Sequence, residues 1–371
     1  MMIQYLPLNA ITASFGSAIG QAVQQVVKSG RYLHGEQVDA FEREFASFLG
    51  CRQVVGVANG LDALTLSLMA MKLRFGWAGG DEVIVPDLTF MATAEAVVRA
   101  GLTPVWADVD ADALLSVESA ETLLSPRTRA VIPVHLYGAA ADMVRLTAWA
   151  DAHGLKVLED AAQAHGAVSG GRHVGAWGTM AAFSFYPGKN LGALGDGGAI
   201  ATDDGELAHV ARVLANYGAE RKYVHTLMGM NSRLDEIQAA VLRVKLRRLD
   251  SDNARRRHVA ALYARLITNP AVAKPYAGRT DGSVFHIYPL RSSRRDALQA
   301  HLLESSVETL IHYPLTISEQ PAFDYLRSIR PASTPHASEW AKTELSLPMH
   351  PLMKEEEVQA VCEAINRFEL D

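Results

Sequence analysis

Cysteine is scarce in this chain. Cys51 and Cys362 are the only two among 371 residues, they stand far apart and they belong to no paired motif. That argues against a disulfide framework and suits a reducing compartment, so a cytoplasmic protein is expected. A surplus of charge is missing as well. The formal net charge of -6 gives no electrostatic case for nucleic acid or an anionic membrane. No apolar stretch approaches the length that spans a bilayer. Met1 to Ala10 lacks a basic region followed by a long apolar run, so no signal peptide is expected. Several chemical motifs are also absent. The glycine-rich stretch around Lys189 has Phe183 where a phosphate-binding P-loop needs its first glycine, and Asn190 where it needs Ser or Thr. No G-x-G-x-x-G follows a strand, so a dinucleotide fold lacks its fingerprint. None of the 13 histidines falls in an H-E-x-x-H pattern, and His153, His165 and His173 have no companion cysteines. No metal site is expected.

What is present reads as an ordinary globular chain, 49% apolar and 20% charged, long enough for one large domain and a smaller one. Short apolar runs at Val54–Val57, Val83–Val85, Pro104–Trp106, Ala130–Val134, Lys156–Leu158, Ala181–Phe185 and Ala199–Ala201 read as buried strands. Ala63–Met71, Ala92–Ala100 and Met143–His153 lie between them and read as helices. This alternation predicts an α/β domain with a largely parallel sheet. Ligands in such sheets sit beyond the carboxyl ends of the strands. His135, Asp160 and Lys189 all fall just past predicted strands. From near Arg233 a helical spacing runs through Leu234, Ile237, Val241, Val244 and Leu249, and its many arginines and lysines read as a solvated or interface face. From about Asn253 the chain reads as a smaller α+β domain. The expected division is 1–250 and 251–371.

Three segments carry types suited to chemistry. Lys189 lies among Gly188, Asn190, Gly192 and Gly195 after the aromatic run Phe183–Phe185. Small neighbours let a bulky group approach, and partial burial favours the free amine that forms a Schiff base. A surface charge is the plainer reading. Asp160 could merely cap a helix, or it could pair with a pyridine nitrogen and make that ring an electron sink. Lysine and carboxylate together suggest pyridoxal phosphate (PLP) as cofactor. Gln163 lies on the same side as Asp160 if a helix begins there. Asn59-Gly60-Leu61 opens a helix whose free amides suit a phosphate. Phe90 could stack on a planar ring, although a core position is the commoner fate of a lone aromatic.

Together these residues resemble the PLP-dependent sugar aminotransferases of the DegT/DnrJ/EryC1/StrS family. The likeness covers nearly the whole chain. It includes Gly35, Phe41-Glu42, Asn59-Gly60, Thr89-Phe90, the run from Glu159 to Gly166, the Lys189 segment, the run from Asn231 to Ala240, His312-Tyr313-Pro314 and Leu347-Pro348. It implies PLP fold type I, the aspartate aminotransferase-like architecture, with a large PLP-binding domain and a smaller C-terminal one. It implies that Lys189 forms the Schiff base and shuttles the proton, that Asp160 pairs with the pyridine nitrogen, that Gln163 contacts the phenolic oxygen and that Phe90 stacks on the ring. The amides of Gly60 and Leu61 and the Ser184 hydroxyl would hold the phosphate. Asn231 would reach it from a partner subunit, which implies a homodimer. Many relatives have threonine where this chain has Leu61, so one hydroxyl contact is lost. The resemblance suggests Tyr186, Lys222, His312 and Tyr313 as contacts to a nucleotide-linked sugar. Lys189 argues against the family's dehydratases, which carry histidine there. The wording from Tyr186 to Gly198 resembles the branch acting on 3-keto sugars. The expected activity moves the amine of L-glutamate, through pyridoxamine phosphate, to a dTDP-linked 3-keto-6-deoxyhexose. A UDP-linked or 4-keto sugar, and a non-catalytic PLP-binding regulator, are the alternatives.

Overall fold

Seven short apolar runs pair into one sheet in a computed structural model that describes residues 2–278, 282–327 and 333–369. The strands are β1 (Gln53–Val57), β2 (Glu82–Pro86), β3 (Thr103–Ala107), β4 (Thr128–Val131), β5 (Lys156–Asp160), β6 (Met180–Ser184) and β7 (Gly198–Thr202). Their spatial order is β1-β7-β6-β5-β4-β2-β3. Every residue of β2 and of β7 is buried, as strands covered on both faces require. Neighbours from β3 to β6 run parallel, while β7 runs antiparallel to both β6 and β1. The α/β class with a mainly parallel sheet is therefore observed.

The helices that position the rim are α1 (Glu36–Leu49), α2 (Gly60–Phe75), α3 (Met91–Arg99), α4 (Glu236–Leu246) and α5 (Leu249–Leu266). The C-terminal part adds the antiparallel pair β8 (Tyr288–Arg291) and β9 (Glu344–Leu347). Around that pair lie α6 (Arg295–Glu304), α7 (Pro335–Thr343) and α8 (Glu355–Asn366). One apolar cluster joins this part to the sheet's rim, with Leu88, Val134 and Tyr137 packed among Tyr288, Trp340 and Leu347. Among the described residues no helix is long and apolar enough to cross a membrane.

Three expectations need correction. The strand read over Ala130–Val134 ends at Val131, because Pro133 has no N–H to give the ladder; Val134 rejoins only as a single bridge to Asp160. The helical pattern from Arg233 to Leu249 is two helices, broken at 247–248. There Arg248 turns back to donate to Ser14 Oγ at 2.9 Å, with its guanidinium 3.4 Å from the Phe15 ring centre. The basic residues do not all form a solvated face. Lys245 donates to the Gly192 carbonyl at 2.6 Å, and buried Arg256 donates to the carbonyls of Phe285 at 3.2 Å and Met349 at 2.9 Å.

The motif from Asn231 to Ala240 has a structural task. Helix α1 starts at Gly35 with no side-chain cap of its own. Buried Glu236 supplies one: its Oε1 accepts from the amides of Gly35 at 2.8 Å and Val38 at 3.0 Å, and its Oε2 from Gln37 at 2.9 Å. A carboxylate at a helix N-terminus also opposes the positive end of the dipole. Glu236→Ala should strip three amides of their acceptor and cost about 2 kcal/mol of unfolding free energy. Urea unfolding followed by circular dichroism checks this, and an unmoved midpoint would sink the assignment.

Candidate active site

The rim is assembled by register. Val57 pairs with Gly198, and Gly198 pairs with Ser184. The Asn59-Gly60 turn therefore has to cross β7 to reach Ser184. Gly198 permits the crossing: a Cβ there would lie 2.4 Å from the Asn59 carbonyl oxygen. A Cβ on Gly60 would lie 2.7 Å from that of Ser184, so the two residues are in contact distance of one another. Asn59 Oδ1 caps α2 by accepting from the Asp62 amide at 2.8 Å, and the Ala63 amide bonds the Asn59 carbonyl at 3.0 Å. The cap does not use the amides of Gly60 and Leu61, which are left facing outward at the positive helix end beside the Ser184 hydroxyl. An anion fits here.

Strand alternation sends Glu159 and Asp160 in opposite directions. Glu159 is clamped in the interior by the amides of Gly175 at 2.7 Å, Trp177 at 2.8 Å and Gly178 at 2.7 Å, with His135 at 3.1 Å. His135 is thus a support for Glu159 and the Ala141 amide rather than a rim group. Asp160 faces the site. Burial pushes its carboxyl above the ordinary range, against hydrogen bonds from Thr93 Oγ1 at 2.7 Å and the Ala162 amide at 3.2 Å. Lys189, half-buried past β6, has its ammonium pushed down to about 8 by lost hydration, with the Asp160 charge acting against the shift.

Gln163 reaches the same cleft by a different route from the one expected. No helix follows Asp160; residues 161–167 form turns closed by the Ala164 amide on the Ala161 carbonyl at 3.0 Å. Gln163 is buried. Its Oε1 accepts from the Tyr137 amide at 2.6 Å, and its Nε2 donates to the Tyr313 hydroxyl at 3.1 Å. Phe90 is exposed just before α3, with its ring 5.7 Å from that of Tyr313. His312 is held by Tyr137, whose hydroxyl donates to the His312 carbonyl. Burial and the Lys189 charge push His312 down to about 4. Tyr186 is exposed, against Gly188. Asp160, Gln163, Lys189, Phe90, His312 and Tyr313 thus surround one cleft. Lys222 and Asn231 make no contact with them among the described residues. Lys222 sits 5.1 Å over the Tyr223 ring on an exposed hairpin, and Asn231 is exposed, bridged to Asn216.

Sequence reasoning missed Thr93, Tyr137 and His286. Burial and the Lys189 charge hold His286 well below its ordinary value, and its Nδ1 lies 3.3 Å from Asn190 Oδ1. None of the three stands in a pattern that flags it. Thr93, on the helix that Phe90 opens, offers the one clue, as a polar residue on a helix's buried side.

Residues 14–366 match the DegT/DnrJ/EryC1/StrS aminotransferase family. The chain belongs to that family. It is 48% identical over 358 residues to the erythromycin biosynthesis sensory transduction protein EryC1 of Saccharopolyspora erythraea, covering 96% of each chain. It is 45% identical to the dTDP-3-amino-3,6-dideoxy-alpha-D-galactopyranose transaminase of Aneurinibacillus thermoaerophilus, covering 99% of each. The solved structure of DesV from S. venezuelae, in complex with a ketimine intermediate, superposes with a TM-score of 0.94 at 43% identity, covering 100% of both chains. The chain is a PLP-dependent aminotransferase, and its residues fit the cofactor. The outward amides at Gly60 and Leu61 suit a phosphate, the desolvated Asp160 carboxyl suits a protonated ring nitrogen, and the Lys189 amine is held near neutrality.

The Asp160–Lys189 pair has a signed consequence. Removing the carboxylate's charge takes away what favours the ammonium, so Asp160→Asn should drop the Lys189 pKa further below about 8 in cofactor-free protein. The pH dependence of reductive methylation at Lys189 measures it. An unchanged or higher value would show that the two groups do not interact.

Proposed function

We propose that this family member transfers the amino group of L-glutamate to the C3 keto group of a dTDP-linked 3-keto-6-deoxyhexose, giving a dTDP-3-amino-3,6-dideoxyhexose. The observation that carries the reaction type is the half-buried Lys189 amine, held at about 8 opposite Asp160 at the ends of adjacent strands. The dTDP nucleotide and the C3 position draw support from the name of the A. thermoaerophilus relative. When bound, PLP supplies the carbonyl that carries the amine between substrates and a ring that withdraws electrons. Lys189 Nζ accepts a proton and returns it, a task suited to an amine whose pKa lies near the working pH. Asp160, kept in place by Thr93 and the Ala162 amide, would hold a proton on the cofactor's ring nitrogen. Gly60, Leu61 and Ser184 would anchor the phosphate, Gln163 would meet the phenolic oxygen and Phe90 would cover the ring. Tyr186, His312 and Tyr313 would contact the sugar nucleotide, and Lys222, remote from them in this chain, would reach it from the hairpin of a second copy.

A second copy of the chain completes this site in our reading. Tyr223 is 84% exposed and Met228 is 90% exposed on the segment that leads to Asn231. Apolar side chains this open call for cover, and a partner subunit supplies it while bringing Asn231 to the phosphate. A cytoplasmic location accords with two free cysteines and a substrate carried on a nucleotide.

The protein loaded with pyridoxamine phosphate should change its cofactor absorbance when mixed with the dTDP-linked 3-keto sugar and stay unchanged with the 4-keto sugar. The reverse pattern would overturn the regiochemistry, and silence with both would overturn the substrate class. Lys189→Ala should slow the reaction by roughly a thousandfold; wild-type turnover would defeat the mechanism. The shared site makes its own prediction. Lys189→Ala and Asn231→Ala proteins, mixed and re-equilibrated, should regain activity that neither has alone. No recovery in verified hybrid dimers would place Asn231 outside the partner's site.

A further inference from the structure

Glu344 is fully buried on β9, outside every motif and unused by the transfer chemistry. It grips His312 twice. Its Oε2 accepts from the His312 amide at 2.6 Å, and its Oε1 shares a hydrogen bond with Ser346 Oγ. Ser346 Oγ in turn lies 2.8 Å from His312 Nδ1. Tyr5 stacks on His312 with ring centres 6.0 Å apart. His312 Nε2 has no protein partner among the described residues, so it is the ring atom available to a ligand.

Counting hydrogens decides what this chain of groups can do. A serine hydroxyl has one hydrogen and two lone pairs. Ser346 has one hydrogen to give, and Glu344 and His312 Nδ1 compete for it. If Glu344 carries a proton, it donates to Ser346, Ser346 donates to His312 Nδ1, and the neutral ring keeps its hydrogen on Nε2. If Glu344 is ionised, Ser346 donates to it, His312 donates from Nδ1, and Nε2 is bare. Each arrangement gives both hydrogen bonds of Ser346 one donor and one acceptor and uses its single hydrogen.

We propose that Glu344 is a positioning residue which, through Ser346, sets the tautomer of His312 and so decides whether Nε2 offers the sugar a donor or an acceptor. The sugar contact rests on the function proposed above; the coupling does not. Burial pushes Glu344 up to about 8, with the hydrogen bonds from Ser346 and the His312 amide, and Arg295 of α6, acting against it. Tyr5 from the N-terminal segment, Tyr137 from the turn after β4 and Tyr313 beside His312 all face the carboxyl; burial raises all three hydroxyls, and the Glu344 charge adds to it. Arg256 of α5 acts on Tyr5, and burial, with the Lys189 charge, keeps His312 neutral. Below pH of about 8 Glu344 is protonated and Nε2 is the donor; above it Nε2 becomes the acceptor.

The test is nitrogen NMR of the PLP-loaded protein with labelled histidine, titrated from about pH 6 to about pH 10, with the His312 signals assigned by His312→Gln. The hydrogen should move from Nε2 to Nδ1 in one transition near pH 8. In Glu344→Gln the amide donates to Ser346 permanently while its carbonyl keeps the His312 amide, so the Nε2 hydrogen should persist at every pH. A wild-type His312 that keeps one tautomer throughout overturns the proposal, as does a Gln variant with the same transition. If that variant does not fold, the wild-type titration decides alone. The spectra need no sugar, so failure to aminate the 3-keto substrate would leave this result standing.

Discussion

Asp160 and Lys189 stand at the ends of neighbouring parallel strands, and the desolvation of both charges in one cleft governs what surrounds them. A carboxyl taken from water needs donors, and α3 brings Thr93 while the next turn brings the Ala162 amide. An ammonium taken from water gives up its proton more readily, so more of Lys189 is free amine near neutral pH. The shift that makes Lys189 useful is therefore a by-product of burial, tempered by its partner across the cleft. The same field reaches outward: His165, His286 and His312 are all pushed toward neutrality by burial and by Lys189. Neutral imidazoles can accept or donate without adding charge to an already charged site.

The cleft is held from two sides that meet through polar groups. The sheet contributes strand ends and the α2 amides. The C-terminal part contributes His312, Tyr313 and the β9 residues beneath them. Tyr137 and Gln163 join the two: the Tyr137 amide binds Gln163, its hydroxyl binds the His312 carbonyl, and Gln163 binds Tyr313. Each contact is individually modest in net energy. Together they fix His312 and Tyr313 against Gln163 and the strand ends of the sheet.

Much of this was legible in the sequence. The strands were, because each is a short apolar run between helical segments. Lys189 and Asp160 were legible because the rim of a parallel sheet is defined by where those runs end. Gly60 was legible from the turn that opens a helix. Gln163 was misplaced on a helix because local spacing does not distinguish a helical turn from consecutive tight turns. The break between α4 and α5 was invisible because Arg248 is drawn to Ser14 and Phe15, more than 200 residues away in the chain. Glu344 was overlooked, although an acidic residue in the apolar run Glu344-Leu345-Ser346-Leu347 is costly to bury and invites the question of what compensates it.

The opposite facings of Glu159 and Asp160 carry one more consequence. Both are buried carboxylates, adjacent in sequence and distinguished only by the side of β5 on which each falls. Register along a strand has a parity, and a slip of one residue inverts it. A one-residue slip of β5 against its neighbours would thus exchange the two acids. It would bring the carboxylate that staples the 175–178 loop into the cleft and hide the one that serves it. The Glu159-Asp160 doublet works as a frame marker: it is informative because its two members are chemically alike and positionally not interchangeable.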